Sequence, residues 1–64
     1  MVIGEALKRA REREGLTQKQ LAEMLYADPS LVCRWEKGQR RIMADELITI
    51  LEILEMTLDD FKKM

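Results

Sequence analysis

The sequence predicts an all-α domain built from five short helices. Apolar residues recur every three or four positions along the chain, and no stretch alternates polar and apolar residues over the length of a strand. Only three glycines and one proline occur among the 64 residues, and they fall near the ends of the periodic segments. With 47% hydrophobic and 36% charged residues, the composition is that of a folded protein and excludes a disordered or collagen-like chain.

The first helix is predicted over residues 2–14. Its apolar face is formed by Ile3, Leu7 and Ala10, which are spaced by about one helical turn. Gly15 ends this helix, because glycine adopts the left-handed conformation of a helix C-terminus without steric cost.

Two short helices follow, predicted over residues 17–25 and 29–36. A capping box at residues 17–20 starts the first of them, with threonine at its first position and glutamine at its last. Asp28 is a suitable N-cap for the second, and Pro29 fits the first helical position, where no N–H is needed.

The last two helices are predicted over residues 44–55 and 58–63. The fourth helix is the most apolar segment, and Thr57 is a suitable N-cap for the fifth. The expected core takes apolar residues from all five helices: Leu7, Leu21, Ala22, Leu25, Val32, Trp35, Leu47, Ile50, Leu54 and Phe61.

The charges are unevenly distributed, although the net charge is only −1. Residues 34–41 carry a local charge of +3, whereas residues 45–60 hold six acidic residues and no basic one. The basic stretch is either a solvated loop or a surface for a polyanion such as nucleic acid.

Residue types that most enzymes and metal proteins require are scarce. The chain has no histidine and one cysteine, Cys33, which excludes an internal disulfide, a Cys/His metal site and histidine-dependent nucleophilic catalysis. It contains neither an apolar run of membrane-spanning length nor a signal-peptide pattern. We therefore expect a protein of a reducing compartment that is not an enzyme, with no metal, cofactor, small-molecule ligand or membrane association.

The second and third helices resemble a known family. Only three residues separate them, so they must cross steeply, as in a helix-turn-helix. The pattern Leu-Thr-Gln-x-x-Leu-Ala-x-x-Leu at residues 16–25, followed by Ser-x-Val-x-x-Trp-Glu-x-Gly at residues 30–38, resembles the Cro/phage-repressor type of helix-turn-helix domain, the XRE family. Ile-Gly-x-x-Leu-x-x-x-Arg at residues 3–11 and Leu-Asp-Asp-Phe at residues 58–61 are similar to the first and last helices of that family.

The resemblance implies one compact, five-helix, lambda-repressor-like DNA-binding domain over residues 1–64, with helices 2 and 3 forming the helix-turn-helix. It implies a cytoplasmic transcription regulator of bacterial, archaeal or phage origin. The third helix, residues 29–36, would lie in the major groove of double-stranded DNA, and a homodimer would bind a palindromic operator.

The resemblance also implies which residues contact DNA. Base contacts are expected from four residues of the third helix: Pro29, Ser30, Cys33 and Arg34. Contacts to the DNA backbone are expected from the start of the second helix and from the loop after the third: Thr17, Gln18, Lys37, Gln39, Arg40 and Arg41. Among these, Arg34 offers a bidentate pair to guanine, whereas Cys33 is either a small inert residue or a redox-sensitive one. Asp28 also faces the groove, but we expect it to act as a helix cap.

Other residues receive structural roles from the resemblance. Arg11 and Glu36 would form a partly buried ion pair, and Trp35 would belong to the core rather than stack on bases. Tyr26 and Glu55 stand where relatives often carry glycine, so the turn at Tyr26 is expected to be strained or altered.

The C-terminal part is the predicted dimer surface, because its apolar residues exceed what one buried seam requires. The candidates are Ile48, Ile53, Met56 and Met64. Alternatively, the small domain buries most of these side chains itself. The competing hypothesis for function is a protein-interaction module with weak or no DNA binding, in which the acidic residues 45–60 recruit a basic partner.

Overall fold

The computed structural model describes residues 2–64, which form five α-helices and no strand. The helices are α1 (Ile3–Arg13), α2 (Gln18–Met24), α3 (Pro29–Glu36), α4 (Ala44–Leu54) and α5 (Leu58–Lys62). The all-α prediction is confirmed for this part of the chain. Predicted and observed bounds differ by at most one residue at an end, because the prediction counted capping residues as helical.

Side-chain caps begin three of the helices. The Thr17 hydroxyl accepts the Gln20 N–H at 3.0 Å, and the Gln20 amide oxygen accepts the Thr17 N–H at 2.8 Å, which confirms the predicted capping box. Thr57 caps α5 in the same way, together with Asp60. The hydrogen bond from the Thr57 N–H lowers the pKa of the Asp60 carboxyl below its usual value. This cap therefore weakens only when the pH falls far enough to protonate that carboxyl.

Two helices end at non-glycine residues in the left-handed conformation. Tyr26, after α2, and Glu55, after α4, both have φ of 54°. The N–H of Ala27 donates to the carbonyl of Ala22 at 2.9 Å, which closes the end of α2 and leads the chain into α3. The Tyr26 side chain is 99% exposed, so no packing compensates the strain. The strained turn expected at Tyr26 is therefore present.

The core lies where all five helices meet. Eight of the ten predicted core residues are buried; Leu25 and Leu47 are half-buried and pack against the others. Ala6 and Ala10 are the other two buried apolar side chains of the core. These small side chains on α1 leave room for the larger residues of the neighbouring helices.

Helices α1 and α3 approach each other closely at Gly4. Gly4 is buried in α1 against the C-terminal end of α3. A Cβ atom at this position would clash with the carbonyl oxygen of Trp35 and lie 2.8 Å from that of Glu36. Because both obstacles are backbone atoms, a side chain here would force the two helices apart.

We predict that Gly4→Ala destabilises the domain. In an exposed helix this change stabilises by about 1 kcal/mol, whereas the backbone clash should cost about 1–3 kcal/mol. Glu5→Ala, at the exposed neighbouring position, is the control and should change stability by no more than about 0.5 kcal/mol. Urea unfolding measures both, and an unchanged or higher midpoint for Gly4→Ala would contradict the packing.

Candidate nucleic-acid interface

The third helix presents one side to the core and the other to solvent. Val32 and Trp35 are buried, so Trp35 belongs to the core and is not available for base stacking. The four residues expected to contact bases lie on the outer side, where Cys33 is half-buried and the others are exposed: Pro29, Ser30, Cys33 and Arg34. The helix therefore offers a polar surface next to its buried stripe.

The N-terminal tip of α3 has no unused main-chain donor in its first three positions. Pro29 lacks an N–H. The Ser30 N–H donates to Asp28 Oδ1 at 2.8 Å, and the Leu31 N–H donates to the Asp28 carbonyl at 2.9 Å. The backbone bond from Ser30, supported by its hydroxyl, lowers the pKa of the Asp28 carboxyl. The tip thus carries an ionised carboxylate at neutral pH.

An ion pair joins α1 to the end of α3. Arg11 Nε is 2.7 Å from Glu36 Oε2, and Nη2 donates to Oε1 at 3.1 Å. The third guanidinium nitrogen donates to the Leu16 carbonyl at 2.7 Å. The two side chains are only 9% and 4% exposed, and the hydrogen bond with Glu36 raises the pKa of Arg11. Each member of this buried pair therefore has well-aligned hydrogen-bond partners.

Gln18 completes this network from the start of α2. Its amide nitrogen donates to Glu36 Oε1 at 3.0 Å. Gln18 is a predicted phosphate contact, but one of its two amide hydrogens is already used inside the protein. The second amide hydrogen of Gln18 remains for an external acceptor. The bond to Glu36 holds the Gln18 side chain in one orientation.

The loop after α3 brings the basic residues together. Its four predicted contact residues are exposed: Lys37, Gln39, Arg40 and Arg41. The N–H groups of Gln39 and Arg40 donate to the Arg34 carbonyl at 2.9 and 3.3 Å, which holds the loop against the end of α3. The two arginines differ, because Arg40 lies 3.4 Å from Glu46 of α4, whereas no salt bridge to Arg41 is formed by residues 2–64. The sequence does not predict this difference between the two arginines, because no local pattern marks Glu46 as a partner of Arg40.

The predicted dimer residues are unequally accessible. Ile48 on α4 is 59% exposed. Ile53, Met56 and Met64 are partly buried and pack against the core. Among these four positions, Ile48 is therefore the most exposed, and the other three offer only part of their surface to solvent.

Metal-ligating clusters and membrane-spanning helices are both absent from residues 2–64. Residues 2–64 contain no group of three or more Cys, Asp or Glu side chains placed to hold a metal ion. None of the helices in this range has the length and apolar character needed to cross a membrane.

Two short helices joined by a tight turn, with the second exposing a polar side, define the class of helix-turn-helix DNA-binding domains. Residues 7–61 match the model of the helix-turn-helix family of Cro/C1 type. The chain belongs to this family of DNA-binding transcription regulators.

The chain is also similar to individual known proteins. The chain is 33% identical over 60 residues to the HTH-type transcriptional activator BcrR of Enterococcus faecalis, a match that covers 94% of the chain but 29% of that protein. The chain thus spans less than a third of this relative. Two crystal structures of the clp gene regulator ClgR of Corynebacterium glutamicum superpose with TM-scores of 0.89 and 0.88 at 24% identity. The matches cover 97% of this chain and 80% and 66% of those chains, and they confirm the fold.

We predict that Arg11 and Glu36 are energetically coupled. Removing one partner leaves a buried charge uncompensated, so Arg11→Met or Glu36→Leu should each cost about 3–5 kcal/mol. The double variant should lose clearly less than the sum, which urea unfolding at low temperature can measure. Additive losses would show that the pair contributes nothing as a unit.

The exposed pair Asp59–Lys62, 3.7 Å apart, provides the control for that cycle. Because both side chains are in solvent, the coupling between them should be about 0–0.5 kcal/mol. A coupling as large as that of Arg11 and Glu36 would mean that the cycle reports general charge effects.

Proposed function

We propose that this chain is a sequence-specific, double-stranded-DNA-binding transcription regulator in which α3 enters the major groove. The observation that carries the proposal is the position of Arg34. The Arg34 side chain is exposed on the outer side of α3, and the Arg34 carbonyl binds the basic loop that follows this helix. The same end of α3 therefore carries a guanidinium proposed to contact a base and loop charges proposed to contact the DNA backbone. The similarity to a transcriptional activator supports this function.

The charge distribution supports a specific way of approaching DNA. The chain is acidic overall, with a pI near 5.4, so general attraction to phosphates is weak. The local charge of +3 at residues 34–41 lies at the end of α3. Gln18, bound to Glu36, lies next to this same end of α3. We infer that Thr17 and Gln18 contact the backbone on one side of the groove, and that the loop residues do so on the other.

We further propose that the regulator acts as a homodimer in the cytoplasm. One recognition helix reads too few base pairs for useful specificity, so two half-sites about 34 Å apart are needed. The residues proposed for the dimer surface are Ile48, which is largely exposed, and the partly buried Ile53, Met56 and Met64. A palindromic operator follows from the two-fold symmetry of such a dimer.

Selection of bound sequences from a random duplex library tests the function directly. The selected duplexes should contain two inverted half-sites separated by about one helical turn. Arg34→Ala should lose about 1–3 kcal/mol per half-site and relax the preference at one base pair in each, because the bidentate contact to guanine is removed. A protein that binds no duplex at about 50 mM salt, where phosphate contacts are strong, would favour the protein-interaction module instead.

The two loop arginines should differ in the salt dependence of binding. Arg41→Ala should weaken binding to all sequences alike and reduce the slope of log K against log salt by about one per protomer. Arg40→Ala should have a smaller effect, because Arg40 must first leave Glu46. Glu46→Gln should strengthen binding to all sequences, since it frees Arg40 and keeps the oxygen that accepts the Met43 N–H.

Glu52→Gln is the matched control for Glu46→Gln. It removes one exposed acidic charge from the same helix without releasing an arginine. Equal gains in affinity for the two variants would attribute the effect to net charge and would contradict a role for the Arg40–Glu46 pair.

A further inference from the structure

A cavity lies between the start of α1 and the loop that follows α3. Its volume is about 410 Å³, within the range of roughly 300–1,000 Å³ that small-molecule sites occupy. The sequence alone predicts no such site, because the lining joins residues 2–4 to residues 35–42, which are distant along the chain. The lining residues are Val2, Ile3, Gly4, Trp35, Gly38, Arg40, Arg41 and Ile42.

The lining of this cavity combines apolar side chains with two arginines and includes no acidic residue. Val2 and Ile3 are 61% and 43% exposed, so their apolar surface meets solvent beside the guanidinium groups. Arg41 forms no salt bridge within residues 2–64, and Arg40 has only the 3.4 Å contact with Glu46. This surface complements a ligand that is apolar at one end and anionic at the other.

Trp35 adds a polar group that has no partner in the described part of the chain. Its indole nitrogen Nε1 is buried, and no residue of 2–64 accepts the hydrogen, whereas buried donors in proteins normally have an acceptor. Trp35 also lines a smaller cavity of about 220 Å³, but Asp45 and Glu46 line that one and their carboxylates would repel an anion. The larger cavity is therefore the one suited to an anionic ligand.

We propose that the larger cavity binds a small free carboxylate with a compact apolar body, of the size of a medium-chain fatty acid. The carboxylate pairs with Arg41, and the apolar body lies against Val2, Ile3 and Ile42. Binding of this ligand does not require the proposed function. One consequence does rest on it: Arg41 is a proposed contact to the DNA backbone, so ligand and DNA compete for this arginine and the ligand weakens DNA binding.

Titration of the free protein with octanoate, in the absence of DNA, tests the site. The chain has one tryptophan, so its NMR spectrum contains a single indole N–H signal, which comes from the cavity lining. This signal and the backbone amide signals of Gly4 and Gly38 should shift and saturate together. Octylammonium reverses the ligand charge and acetate lacks the apolar body, so each should bind at least about tenfold more weakly. The absence of a saturable shift, or equal binding of octylammonium, would overturn the site.

Replacing the anchoring arginine tests the proposed ion pair. Arg41→Gln should weaken octanoate binding about tenfold, because the charge-assisted hydrogen bonds are lost. Arg13→Gln removes an exposed arginine of α1 that does not line the cavity, and it should leave octanoate binding unchanged. Equal losses in the two variants would attribute the binding to net charge and overturn the assignment of Arg41.

Two substitutions of Val2 test the position of the ligand without threatening the fold. Val2 is the N-cap of α1 and provides no side-chain cap, whereas aspartate and asparagine are both good N-caps. The two variants have nearly the same shape and differ in charge. Val2→Asp should therefore weaken octanoate binding several-fold more than Val2→Asn, and equal affinities would place the carboxylate elsewhere.

A competition experiment separates this inference from the proposed function. Saturating octanoate should lower the affinity of the unaltered protein for duplex DNA, and this loss should be absent in Arg41→Gln. If the protein binds octanoate but no duplex, the ligand site stands and the proposed function fails. If it binds duplex DNA but not octanoate, the ligand site alone is overturned. Octanoate binding that leaves the affinity for DNA unchanged would overturn the competition for Arg41.

Discussion

The arrangement of the first three helices depends on the carboxylate of Glu36. It accepts hydrogen bonds from Arg11 of α1 and from Gln18 of α2, while itself belonging to α3. Burial of a carboxylate costs several kcal/mol unless it is paired and fully hydrogen-bonded, and these partners meet that requirement. The angle between the recognition helix and the rest of the domain is thus held by directional bonds, whereas apolar packing alone would tolerate small shifts.

The same carboxylate connects stability to the proposed DNA surface. Gln18 is already bonded to Glu36 in the free protein, so the proposed contact of Gln18 with a phosphate costs less side-chain entropy. Gly4 allows α1 to approach the carbonyl groups at the end of α3, the segment that also contains Glu36. Packing at Gly4 and bonding at Glu36 therefore hold the same end of α3, from which the basic loop emerges.

The arginines at and near the proposed interface are compensated by acidic residues to different degrees. The buried pair of Arg11 and Glu36 is neutral to its surroundings, Arg40 is partly compensated by Glu46, and no salt bridge to Arg34 or Arg41 is formed by residues 2–64. In the proposed complex with DNA, fewer free charges on the protein reduce the sequence-independent part of binding. The proposed base contacts then account for a larger share of the affinity.

The sequence by itself determined the helices and their ends, because these depend on neighbouring residues. The capping box of Thr17 and Gln20, the N-cap at Asp28 and the spacing of the core residues are all local patterns. The resemblance to the family added Arg11 and Glu36 as partners. Only the tertiary structure decided the contacts beyond that pair. The bond from Gln18 to Glu36, the pairing of Arg40 with Glu46, the backbone contact at Gly4 and the partial burial of Ile53, Met56 and Met64 all join segments brought together by folding. Such contacts depend on the distances and angles between helices, and no periodicity along a chain encodes them.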